Sequence, residues 1–82
     1  MERRQQKRFP VRFLGQLIET SGGNSCIVTI TEISEKGARV DLPDRAEMSG
    51  TVTLFNTVDG TSKRCRIAWR KGDQMGLAFE EA

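Results

Sequence analysis

Arg4 and Arg8, four residues apart, are the first residues of this chain whose type and spacing could do chemistry. A guanidinium is a planar fork of donors that matches phosphate oxygens or the acceptor edge of guanine. Two at this spacing converge on one ligand if the segment turns. Arg3, Lys7 and Arg12 extend the cluster, so residues 1–12 hold five basic side chains against one acid, Glu2. Residues 13–82 hold eight against ten, and the net charge of +2 therefore conceals a segment of +4 on a body of −2. A polyanion would be drawn to the arm and not to the body. Taken alone, such a cluster reads first as a solvated basic terminus.

A complementary set lies in "EISEKG" at 32–37. Glu32 offers acceptors to the N–H groups of a base, Ser34 a small hydroxyl, and Gly37 a stretch of backbone that a ligand can approach closely. Serine and glycine also populate strand turns for conformational reasons alone.

Other chemistries are poorly supplied. Histidine is absent, which removes the usual general base and the commonest metal ligand. Cys26 and Cys65 lack metal-ligand spacing and read as free thiols that fill apolar space in a reducing compartment. The acids show no paired spacing suited to hydrolysis. An enzyme built on this chain would lack its commonest tools, and no catalytic residue, metal or cofactor is expected. Trp69 could cover a guanine, although a tryptophan at a strand end belongs first to the core or the rim. Arg64, Arg66, Arg70 and Lys71 form a second basic stripe, by default a solvated face.

The elements that must position these residues are strands. At 82 residues, 37% apolar and 29% charged, the chain is one small globular domain. Alternation and β-branched residues predict strands at 11–19, 26–33, 38–42, 51–55, 62–69 and 75–79. "SGGN", "SEKG", the Asp59-Gly60 pair and "RKGDQ" supply turns, and a loop spans Pro43 to Gly50. Gly15 within the first strand suggests a bulge or a close backbone approach. In the fifth strand Cys65, Ile67 and Trp69 are expected to face one way, and in the sixth Met75, Leu77 and Phe79 face inward. Six short strands without a helix predict an all-β, six-stranded antiparallel β-barrel at 11–80, preceded by a flexible basic arm at 1–10. No apolar run reaches the length of a membrane span, and no signal-peptide core follows the basic residues, so a cytoplasmic location is expected.

Arg4-x-x-x-Arg8 before the first strand, then Glu32-x-Ser34-x-x-Gly37 after the second, resembles the signature of the PilZ domain family. That family carries Arg-x-x-x-Arg followed by Asp or Asn-x-Ser-x-x-Gly on a six-stranded antiparallel barrel. "RFPVRFLGQLI" is similar to the family's first strand, and "CRIAWRKGDQMGLAF" to its last hairpin. The resemblance implies a bacterial receptor for the second messenger cyclic di-GMP. By that analogy Arg4 and Arg8 contact phosphate and the guanine edge, Arg3 assists, Glu32 and Ser34 meet guanine N–H groups, and Gly37 lets the turn close on the ligand. The arm would order on binding and so change contacts with an effector protein.

One position departs from the pattern. Glu32 stands where the family has Asp or Asn, one methylene longer, which displaces its carboxylate by over an ångström. The alternative reading is thus a degenerate PilZ-like module that contacts proteins and binds no nucleotide. A nucleic-acid-binding barrel is the third reading; four phenylalanines, one tryptophan and no tyrosine leave few stacking platforms, and the body is negative. Neither nucleic acid nor membrane insertion is expected.

Overall fold

Period-two alternation is realised in six strands: β1 (Phe9–Glu19), β2 (Ser25–Ile33), β3 (Gly37–Asp41), β4 (Thr51–Asn56), β5 (Ser62–Lys71) and β6 (Gln74–Phe79). The computed structural model describes residues 9–80, with Phe9 described by its backbone alone. All pairs are antiparallel, and the order β1-β2-β3-β6-β5-β4 closes into a barrel. Closure removes the unpaired edges that an open sheet of this size would expose.

Every strand sends side chains into one core. Leu17, Val28, Ile30, Val40, Val52, Leu54, Cys65, Met75 and Leu77 are buried, and Leu42 and Met48 of the β3–β4 connection complete the cluster. Each fully buried aliphatic side chain contributes about 1.5–3 kcal/mol relative to its exposed state. Turns follow the expected residues. Asn56 N–H donates to Thr61 O and Gly60 N–H to Asn56 O, closing the β4–β5 hairpin, and Gly72 takes φ 61° in the two-residue β5–β6 turn.

Glu19 is an acid turned inward at the opposite end of β1 from Phe9. Its carboxylate accepts Asn24 N–H at 2.8 Å and Ser49 N–H at 2.9 Å, tying the β1–β2 turn to the β3–β4 connection. Those two donors, Asn24 first, hold its carboxyl below the usual range.

Gly15 is a site of close approach: a Cβ there would lie 2.8 Å from Ile30 Cδ1 and 2.9 Å from Phe55 O. The bulge of β1 lies elsewhere. Register shifts occur between Pro10 and Phe13, between Ile30 and Glu32, and between Ile67 and Trp69. The β1–β4, β3–β6 and β4–β5 ladders run without one.

The β5 shift corrects the expected facing of Trp69. Ile67 pairs with Leu77 and Trp69 with Gly76, so Ala68 is the extra residue. A bulge makes the next side chain point where its predecessor would have pointed. Trp69 therefore faces outward, 44% exposed, instead of joining Cys65 and Ile67 inside. The same shift breaks the expected stripe: Arg70 lies at the barrel's far end, where its Nε donates to Gly72 O at 3.0 Å.

Candidate ligand-binding site

The three register shifts surround one row of residues. Pro10 pairs with Glu32, Glu32 with Arg39, Arg39 with Gly76, and Gly76 with Trp69. Directly paired residues share a face, so Glu32, Arg39 and Trp69 stand on the same outer surface across β2, β3, β6 and β5. Without the extra residue at Thr31, Glu32 would take the inward position. The bulge on β2 and the bulge on β5 thus aim an acid and an indole at the same place.

Between them lies an open cavity of about 290 Å³. Glu32, Ser34, Lys36 and Arg39 supply its polar lining, Trp69 its aromatic wall, and Gly37, Gly76, Ala68 and Ala78 its floor. Small residues make the depression. A Cβ at Gly76 would collide with the Trp69 indole, and a Cβ at Gly37 with the Leu77 carbonyl oxygen. Gly37 has no positive φ. It is required because β3 and β6 approach closely there, rather than by the turn's conformation.

Ser34 organises the turn that forms one rim. Its N–H donates to Gly37 O at 2.9 Å, and its hydroxyl accepts Lys36 N–H at 3.3 Å and donates to Gly37 O at 3.4 Å. Phe79 N–H donates to Lys36 O at 2.8 Å, which fastens the turn to β6. Arg39 is held by its neighbour on β2, Nε reaching Thr31 Oγ1 at 3.5 Å while that hydroxyl donates to Arg39 O at 3.2 Å. The polar rim is therefore fixed by backbone bonds, by the Ser34 hydroxyl and by the Thr31–Arg39 pair.

The expected residues Glu32, Ser34 and Gly37 are brought together on this cavity. Arg3, Arg4 and Arg8 lie outside the described residues. The sequence reading missed Lys36 and Arg39, and it placed Trp69 on the wrong face. Lys36 carried a signal, since it sits inside the motif; Arg39 and Gly76 become visible only through register. Cys65 is a buried filler whose thiol burial pushes up to about 11, and Cys26 is half-buried. Among the described residues no three His, Cys, Asp or Glu side chains gather as a metal site, and no helix is long and apolar enough to cross a membrane.

A cavity walled by an indole on one side and lined by two cations, a carboxylate and a hydroxyl can stack a planar ring and bond its polar edges. This is a candidate ligand site on a small β-barrel. The PilZ domain family model matches residues 2–82, and the chain belongs to that family. No curated protein matches it. PilZ domains are binding and adaptor modules, and the family binds cyclic di-GMP and engages effectors generally.

Proposed function

We propose that this chain is a cyclic di-GMP receptor of the bacterial cytoplasm, without catalysis of its own, that signals through contacts of its N-terminal arm with an effector protein. The observation that carries the reading is the outer row Glu32, Arg39, Gly76 and Trp69, which joins the second motif to an aromatic wall. Pro10, paired with Glu32, brings the start of β1 to the same place. Arg8 is one peptide unit from Phe9, and Arg4 is five, a maximum reach of roughly 18 Å. In this reading Arg4 and Arg8 take phosphate and the O6/N7 edge of guanine, with Arg3 beside them. Glu32 and Ser34 face the N–H edge, Gly37 preserves the cavity floor, and Trp69 covers the ring.

Titration calorimetry of the full chain with cyclic di-GMP at moderate salt tests this. Saturable heat is expected, and Arg4→Ala and Arg8→Ala are each expected to cost about 1.5–3 kcal/mol of binding, the range for charge-assisted hydrogen bonds. Absence of heat overturns the reading.

Glu32 motivates a second reading, the degenerate module that binds protein alone. Glu32 pairs in register with Arg39, and its side chain is one methylene longer than the Asp or Asn of the family pattern. The Glu32→Asp variant separates the two readings. Affinity in that variant where the parent has none favours the degenerate module.

A further inference from the structure

One cation of the cavity has no role in the reading above. Arg39 pairs with Glu32 on one side and with Gly76 on the other, so it stands on the outer row between the acid and the aromatic wall. It is half-buried and lines the cavity. Thr31, the extra residue of β2, holds it: Arg39 Nε donates to Thr31 Oγ1 at 3.5 Å, and that hydroxyl donates to Arg39 O at 3.2 Å. Among the described residues the two Nη groups take no hydrogen-bond or ion-pair partner. The donor fork is anchored at its stem and open at its tip. The Trp69 indole shows where a planar ring would lie, since it fills the space in which a Gly76 side chain would stand. Gly76 is the register neighbour of Arg39, and neighbouring strands are about 4.8 Å apart. A ring stacked on the indole thus has an edge within reach of Arg39, with Glu32 one strand farther.

We propose that Arg39 is the residue that selects guanine over adenine, its Nη groups donating to O6 beside the N1–H and N2–H groups that Glu32 accepts. The inference rests on the cyclic di-GMP reading and adds base selectivity to the same site. Guanine carries its O6 acceptor next to the N1–H donor, and a donor fork one register position from a carboxylate repeats that order in reverse polarity. Adenine inverts it. An amino group stands where guanine has O6, and an unprotonated N1 where guanine has N1–H, so Arg39 would meet a donor and Glu32 an acceptor. Polar groups left unpaired in a partly enclosed site oppose binding, and this rejects an analogue more strongly than a lost contact alone. Contacts to phosphate cannot make the distinction, because the two cyclic dinucleotides share their phosphates.

Titration calorimetry of the full chain with cyclic di-GMP and, up to millimolar concentration, with cyclic di-AMP tests the proposal in the parent, in Arg39→Met and in Arg66→Met. Methionine keeps an unbranched apolar stem and removes every donor. Arg66 pairs with Ala78 on the same outer surface but does not line the cavity, which makes it the control for general charge. Arg39→Met is expected to weaken cyclic di-GMP about 10- to 100-fold, the range for a charge-assisted hydrogen bond, without weakening cyclic di-AMP. Thermal melts should show the fold intact; where the methionine variant melts early, Arg39→Gln carries the same expected direction. Arg66→Met should keep the parent's preference. Equal losses for both nucleotides in Arg39→Met overturn the proposal by assigning Arg39 to phosphate, and a selective loss in Arg66→Met overturns it as well. Binding of cyclic di-GMP by the parent that Arg39→Met retains in full overturns this inference alone, whereas no heat from the parent overturns the receptor reading and this inference with it.

Discussion

Two outward faces of one barrel are built by opposite rules. Around the cavity all three register shifts fall within a residue or two of the row from Pro10 to Trp69. On the β1, β2 and β4 face the ladders from Phe13 to Ile18 and from Gly15 to Glu19 run without interruption. Regular pairing keeps inward residues inward and yields an uncharged outer surface. Bulges sacrifice local ladder bonds and aim side chains that alternation would have hidden. Regular and bulged stretches of the same sheet thus share one core and present different outer surfaces.

The contrast can be broken most severely from its regular side. Leu17→Ala removes a fully buried side chain from β1 and is expected to cost about 2–5 kcal/mol. Thermal unfolding should shift down by more than ~10 °C, and nucleotide binding should fall only through loss of folded protein. Gly37→Ala comes next. Its Cβ meets a backbone carbonyl of β6, which cannot rotate away, so a cost of about 1–3 kcal/mol in chemical denaturation is expected, together with loss of the cavity. Trp69→Ala reverses the pattern. Stability should change by less than about 1 kcal/mol, while cyclic di-GMP affinity by calorimetry falls by about 1–3 kcal/mol, the stacking contribution.

The smallest effect is a pH dependence at the far end of the regular half. Glu19 has its folded-state pKa lowered by the Asn24 and Ser49 N–H groups, so its carboxylate stabilises the fold above the ordinary glutamate value of about 4.3. That contribution is lost as pH falls through the lowered value. Asp59, lowered by the Thr61 hydroxyl and N–H, behaves alike. Denaturation midpoints measured from pH 7 to pH 3 should decline, and Glu19→Gln should flatten part of that decline; an unchanged slope would show that the tie between the loops has no energetic weight.

The strands were legible because their signals are local. Alternation in "TVTLF" and "ARVDL" and the Asp59-Gly60 turn specify element and facing within a few residues, and the six strands lie where these signals put them. Trp69 was misplaced because a bulge depends on the partner strand: nothing in "RIAWR" marks Ala68 as the extra residue until Leu77 and Gly76 are set opposite. Arg39 joins the site through its pairing with Glu32, a non-local fact. Gly37 was visible as a motif residue, but its physical reason, the Leu77 carbonyl, comes from a strand forty residues away. Leu14, Ile27 and Phe55 read singly as ordinary strand residues, and only the closed order brings them onto one surface.

The placement of Trp69 over Gly76 has an optical consequence. Trp69 is the chain's single tryptophan, and tyrosine is absent. Nearly all the protein's intrinsic ultraviolet emission therefore originates at the wall of the cavity, from an indole 44% exposed to solvent. The core contributes almost no signal. The molecule carries a built-in reporter of that one surface, so cavity occupancy changes its light directly and needs no attached dye.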